Sequence, residues 1–216
     1  MKKIITTFFI LFSFCIYSQS ILFKTGLNMT TYDYTNSKNK TNSNIESSTG
    51  SFYEIGYSIP IKTGTYGTRR GSSSRNAKLY ATSSLTLNQY NATGGNNVDS
   101  YSWDTNYLGW NNYLNYSLLD QNKFIDFSIK GGLGISTIIH GKQKIGGEIF
   151  DLKFNNEFNG LWISPVIGFN IKYDLFEETY LSLGYDFSKV ISTNKNSESL
   201  SFFNKQLSFG ILINIR

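Results

Sequence analysis

Ile125-Asp126-Phe127-Ser128-Ile129-Lys130-Gly131-Gly132-Leu133-Gly134-Ile135-Ser136-Thr137-Ile138-Ile139 is the stretch that decides the fold. Counting in twos from Ile125 collects Phe127, Ile129, Leu133, Ile135 and Ile139, with Gly131 and Thr137 completing the row. The intervening positions hold Asp126, Ser128, Lys130, Gly132, Gly134 and Ser136, with Ile138 last. Successive side chains of a strand point to opposite faces, so this pattern puts an oily row on one side and a polar or small row on the other. On a helix the two rows would mix.

Working outward, the same alternation recurs until eight runs are found. Residues 161–175 set Leu161, Ile163, Pro165, Ile167, Phe169, Ile171 and Tyr173 against Ser164, Gly168, Asn170, Lys172 and Asp174. Leu181, Leu183, Tyr185 and Phe187 oppose Ser182, Gly184, Asp186 and Ser188, and Leu207, Phe209, Ile211, Ile213 and Ile215 oppose Ser208, Gly210 and Asn214. Upstream, the oily rows begin at Ile21, Tyr53, Leu79 and Leu108. Eight is an even number, as closure of a bacterial single-chain barrel requires. Segments 120–123 and 176–179 read as tight turns, whereas 30–50, 92–105, 140–160 and 192–204 read as long polar loops. Such alternation of short and long links separates one rim of a membrane barrel from the other. The link 62–77 breaks the rule: it is long where a short turn is due, and it carries Arg69, Arg70 and Arg75.

Alternation alone does not distinguish a barrel in lipid from a soluble one that encloses an apolar ligand. The occupants of the polar row do. Gly26, Gly56, Gly109, Gly132, Gly134, Gly168, Gly184 and Gly210 all lie on it. Glycine within a strand marks scarce space, and an eight-stranded barrel is only wide enough for its own side chains. The glycine row therefore faces a crowded lumen and the oily row faces lipid. Lys24, Lys130 and Lys172 share that lumen with Glu54, Asp126 and Asp186. Buried charge must be paired, so these six are expected to form an internal network that plugs the barrel, with a conducting path as the alternative. Tyr53, Tyr107, Trp110, Trp162, Tyr173 and Tyr180 fall near strand ends, where rings of a membrane barrel sit at headgroup level.

The first 18 residues read as an export signal: Lys2 and Lys3, then an apolar stretch from Ile4 to Tyr17, then a cut between Ser18 and Gln19. Cys15 lies inside that segment behind Phe14, where a lipidation signal needs a small residue, so residues 19–216 form the barrel and contain no cysteine. The net charge of +5 drops to +3 without Lys2 and Lys3, too mild a balance to imply nucleic acid. A single His140 and no mature cysteine give no metal set. A hydrolytic triad would have to combine His140 with Asp151 and a serine, against the plainer reading of a surface histidine.

The sequence resembles the outer-membrane β-barrel domain (porin-family, PorT-like) proteins of Bacteroidetes. The resemblance rests on Phe23-Lys24-Thr25-Gly26-Leu27-Asn28 just after Ser18-Gln19, and on Ile55-Gly56-Tyr57-Ser58-Ile59-Pro60. Tyr107-Leu108, Gly131-Gly132-Leu133-Gly134 and Leu183-Gly184-Tyr185-Asp186-Phe187-Ser188 add to it. It implies an integral outer-membrane barrel delivered by the barrel-assembly machinery, with no common catalytic residues. Such barrels commonly end in an aromatic residue, whereas this sequence reads Ile213-Asn214-Ile215-Arg216 and offers Phe209 instead. The expectation is thus an all-β, eight-stranded antiparallel up-and-down transmembrane β-barrel. It is expected to be monomeric, in contact with outer-membrane lipid, non-enzymatic and without cofactor, and to present surface loops for envelope or binding roles. A soluble secreted or periplasmic barrel around an apolar ligand is the other reading.

Overall fold

Nine strands account for nearly all of the residues that the computed structural model describes, which are 19–35, 45–63, 77–95, 100–119, 124–153, 155, 158–176, 178–194 and 199–215. They are β1 (Gln19–Thr35), β2 (Ile45–Thr63), β3 (Ala77–Gly95), β4 (Ser100–Ser117), β5 (Ile125–Ile145), β6 (Glu148–Asp151), β7 (Leu161–Phe176), β8 (Thr179–Ser192) and β9 (Ser199–Ile215). Eight of them close on themselves. Each pairs antiparallel with its sequence neighbour, β5 passes directly to β7, and β1 zips to β9 from Gln19↔Ile215 to Thr35↔Ser199. Closure leaves the cylinder with no unpaired edge, the condition for a sheet to cross hydrocarbon. The ninth strand, β6, folds back on the end of β5 through Gly146 and Gly147, whose φ of +56° and +90° suit glycine.

The faces fall as the alternation requires. Ile129, Phe169 and Leu183 are 47%, 38% and 49% exposed, while Gly134, Gly168 and Gly184 are turned in. The lumen is as tight as the glycines imply. A Cβ on Gly132 would lie 2.8 Å from the Tyr113 Cα and against the Asn112 carbonyl; one on Gly168 would strike the Asp186 carboxylate and come within 2.6 Å of the Tyr185 carbonyl. Gly131 faces out and would meet nothing within 4 Å. The outward oily rows, such as 125–139 on β5 and 161–175 on β7, together form the apolar band that tilted barrel strands present to lipid. The exterior is that of a transmembrane barrel. The alternative of a soluble barrel enclosing an apolar ligand fails here, because it needs these rows inside.

Beyond the band the faces exchange character. On β1, Phe23 and Leu27 point out and Lys24 and Asn28 point in; six residues further, Asp33 points out and Tyr32 points in. On β3, Gln89 and Asn91 face water while Tyr90 and Ala92 are buried, and on β4, Asp104 is outside between buried Trp103 and Thr105. The barrel therefore continues past the membrane as a water-exposed cylinder with an apolar core. This corrects the four long loops. Much of 30–50, 92–105 and 192–204 is strand, paired for example as Tyr32↔Phe202 and Ala92↔Trp103, and 140–160 contains the end of β5, the β6 hairpin and a short inward-packed segment. A polar outer row above the band looks like loop composition, but water simply replaces lipid as its solvent. The turn expected at 176–179 is present, with Phe176 paired to Thr179 and Glu178 at φ +76°. The export signal, the turn at 120–123 and most of the basic link 62–77 lie outside the described residues.

Candidate functional site

The interior is stacked in tiers from the end where Gln19 and Ile215 pair to the far rim. At the near end Lys172 reaches Asp126 at 3.6 Å, Ser117 donates its hydroxyl to the same carboxylate, and the Lys172 ammonium lies 4.8 Å from the centre of the Tyr80 ring. Above it Lys130 and Asp186 form a 2.6 Å ion pair, almost fully buried, with the ammonium 4.5 Å above the Tyr113 ring. Glu54 accepts a 2.6 Å hydrogen bond from Ser84 Oγ. Lys24 stands opposite Glu54 in the β1–β2 register and donates to Asn170 Oδ1 at 3.5 Å. All six residues of the expected network thus face the lumen, and four of them join as two ion pairs.

A layer of amides covers the charges. Asn28 Oδ1 accepts from Asn204 Nδ2 and Gln206 Nε2, both at 3.1 Å, while Asn28 Nδ2 donates to the Gln89 carbonyl at 3.2 Å and to Asn88 Oδ1 at 3.4 Å. Asn28 is the hub of this layer, bonded to four neighbours, whereas Asn204 Oδ1 is buried without a partner.

The last tier is aromatic. Phe202 sits at its centre, with ring centroids 4.8 Å from Tyr32, 4.7 Å from Tyr90, 5.6 Å from Trp162 and 6.1 Å from Tyr107. Trp103 meets Tyr32 edge-on at 5.1 Å and Phe158 at 5.4 Å. Offset and edge contacts at these separations are the favourable geometry for rings. The segment between β6 and β7 closes the top: Leu152 and Phe158 turn into the cluster, and Trp162 Nε1 donates to the Phe158 carbonyl at 3.0 Å. The Tyr32 hydroxyl is held by the Tyr90 carbonyl and Thr105 Oγ1. Burial pushes the Tyr32 and Tyr90 phenols well above their ordinary range, so both remain neutral.

This tier corrects part of the expected headgroup girdle. Tyr53, Trp110 and Tyr173 do face out at 58%, 53% and 45% exposure, whereas Tyr107 and Trp162 are completely buried inside the cylinder, and Tyr180 shares the inward row of Ser182 and Gly184. The signal that would have found Tyr107 is the exchange of faces at the outer end of β4, where Asp104 and Asn106 replace Leu108 outside; Trp162 carries no such signal, because Leu161 and Ile163 stay oily outside. His140 points outward at a bulge opposite Asn106. The Asp151 carboxylate is taken up by the Lys153 amide at 2.8 Å, and among the described residues no hydrogen bond joins His140 to it or to a serine. Many of the polar groups in the lumen are spent on one another, while Ser182 Oγ, Ser208 Oγ, Asn204 Oδ1 and one Asp186 oxygen are buried without a partner.

No family model matches the chain, and no curated protein matches it either. Solved structures similar to it include Neisserial surface protein A, at 11% identity over 89% of this chain and 96% of that one with a TM-score of 0.49. Outer membrane protein OprG from Pseudomonas aeruginosa shows 8% identity over 91% and 96%, also with a TM-score of 0.49. The outer membrane protease OmpT from Escherichia coli shows 8% identity over 92% and 97%, with a TM-score of 0.47. Likenesses this remote transfer no activity, and the assignment of a closed transmembrane barrel stands on the chain's own pairing and faces.

Proposed function

We propose that this chain is an exported, integral outer-membrane barrel of the PorT-like kind, non-enzymatic and monomeric, whose working surface is the crown beyond the membrane. The observation that carries this reading is the exchange of polarity along β1 to β5. Their wall is oily outside and polar inside through the membrane, then polar outside and largely apolar inside above it, while Leu161, Ile163 and Ile191 keep the outer face of β7 and β8 oily. A polar-lumened span anchors the protein in lipid. A crown with its own packed core projects from it as a rigid platform, suited to binding or to stabilising the envelope rather than to passing solute. Phe52, Tyr107, Trp162 and Phe202, drawn from four strands around the ring, are inaccessible to solvent; a water-filled path would wet them. The outward row at crown level, including Thr31, Asp33, Asn91, Asp104 and Lys142, is the surface available to a partner.

Cell fractionation combined with gel migration tests the placement. The mature protein is expected in the outer-membrane fraction, and its unheated band is expected to run faster than its boiled band, as a folded barrel resists detergent. Recovery as a soluble periplasmic monomer would overturn the reading.

A further inference from the structure

At the upper border of the lipid-facing band, β8 and β9 differ from the first four strands. The outward residue that follows the oily row is Thr31 on β1, Ser51 on β2, Gln89 on β3 and Asn106 on β4. On β8 and β9 it is Lys189 and Lys205, both exposed. Lys189 pairs across the ladder with Phe203, and Lys205 with Phe187. The two lysines are therefore diagonal neighbours on one face, about 7–8 Å apart at the backbone, a gap that long side chains close. The Lys189 ammonium lies 5.2 Å from the centre of the Phe203 ring, which holds it over the wall.

Among the described residues no acid pairs with these charges. The outward positions around them are Met29 and Thr31 on β1, Leu207 and Ser201 on β9, and Ile191 on β8, with Asp33 one step further off, opposite Ser201. Among the described residues neither lysine makes an ion pair. Lys142 shows the contrast: its cross-strand partners are Asp104 and Asp151. Lys189 and Lys205 instead have apolar surface beneath and beside them, along which a lysine stem lies while its ammonium seeks a polar layer. At this height, beyond the wall, that layer is the headgroup region of the leaflet on the crown side.

We propose that Lys189 and Lys205 form a binding site for the phosphate of an anionic lipid in that leaflet, with the two ammonium groups gripping its oxygens and the acyl chains lying along Phe187 and Leu207. The site rests on the membrane placement proposed above, since a soluble protein would meet no headgroup there.

Native mass spectrometry of the mature protein released from detergent micelles tests it, with bisphosphorylated lipid A as the probe and phosphatidylcholine as the zwitterionic control. Lipid A is expected to bind in preference to phosphatidylcholine. Replacing both lysines, Lys189→Gln with Lys205→Gln, is expected to weaken it about thirtyfold, given the pull that each basic residue exerts on an anionic surface. Lys142→Gln, a cation already flanked by acids, is expected to leave binding unchanged. Equal binding of the two lipids, or no loss in the double variant, would overturn the site; so would displacement of lipid A by inorganic phosphate at matched concentration, which would indicate a site for free anions. A protein that gains no heat-modifiable band in detergent contradicts the membrane placement instead, so the two failures are told apart.

Discussion

Phe202 and Phe203 are adjacent in sequence and opposite in circumstance. The first is the hub of the aromatic tier and wholly buried; the second faces outward at 55% exposure. Truncating a packed aromatic removes its transfer energy and leaves a cavity, which together cost about 3–5 kcal/mol. Phe202→Ala is expected to destabilise by that amount and Phe203→Ala by roughly 1 kcal/mol or less, read from urea unfolding in detergent followed by tryptophan fluorescence. Similar losses at both positions would mean that Phe202 is not a hub. The Lys130–Asp186 pair makes a second contrast. Removing one partner of a buried pair strands the other charge and costs about 3–5 kcal/mol, whereas replacing both with apolar groups is often close to neutral. Lys130→Met is thus expected to be strongly destabilising and Lys130→Met with Asp186→Leu to recover most of the loss in the same unfolding measurement. A double variant as unstable as the single one would show that the pair does more than neutralise itself.

For whole elements the controlling quantity is which side of the wall a residue meets, and Gly131 and Gly132 measure it side by side on β5. A methyl on Gly131 projects into open space, while one on Gly132 meets the backbone of β4 at Asn112 and Tyr113. Replacing glycine with alanine also restricts the unfolded chain, worth about 0.4–1 kcal/mol where the native geometry accepts it. Gly131→Ala is expected to leave the folded yield in vesicles intact or raise it, and Gly132→Ala to lower it; the reverse order would exchange the inside and outside of the barrel. This much was legible in the sequence, because lipid and crowding act on alternate residues and leave a period of two with glycine on one row. The elements misread were those where the solvent changes partway along a strand. Trp162 and Tyr107 look like girdle residues from their place near strand ends, yet both lie on an inward row that turns apolar in the crown, on β4 where the outward row reaches water and on β7 although Leu161 and Ile163 stay oily outside. Composition could not separate crown from loop, since a strand wet on its outer face has the same serines, threonines and asparagines as a coil. The six charged residues were legible as inward-facing positions, but only the register put Lys130 with Asp186 and Lys172 with Asp126, and it turned Lys24 and Glu54 to Asn170 and Ser84 instead.

Taken as a whole, the molecule places its seals in series: paired charges, then an amide layer, then rings. An ion crossing would have to shed water beside side chains already committed to one another, and burying an unpaired charge costs far more than these contacts return. Tyr107, Trp162 and Phe202, from β4, β7 and β9, are closed to solvent, and so are Asn28 and Thr105 beside them. The reconstituted mature barrel is therefore expected to give no unitary current steps in a planar bilayer in molar potassium chloride. Phe202→Ala is expected to stay silent too, because the hydrogen-bonded layer of Asn28, Asn88, Asn204 and Gln206 remains beneath the vacated ring. Discrete steps from the unmodified protein would mean that the tiers part under voltage, and the crown would then be a gate over a pore rather than a platform. Steps only in Phe202→Ala would place the whole seal in the aromatic tier and make the amide layer permeable.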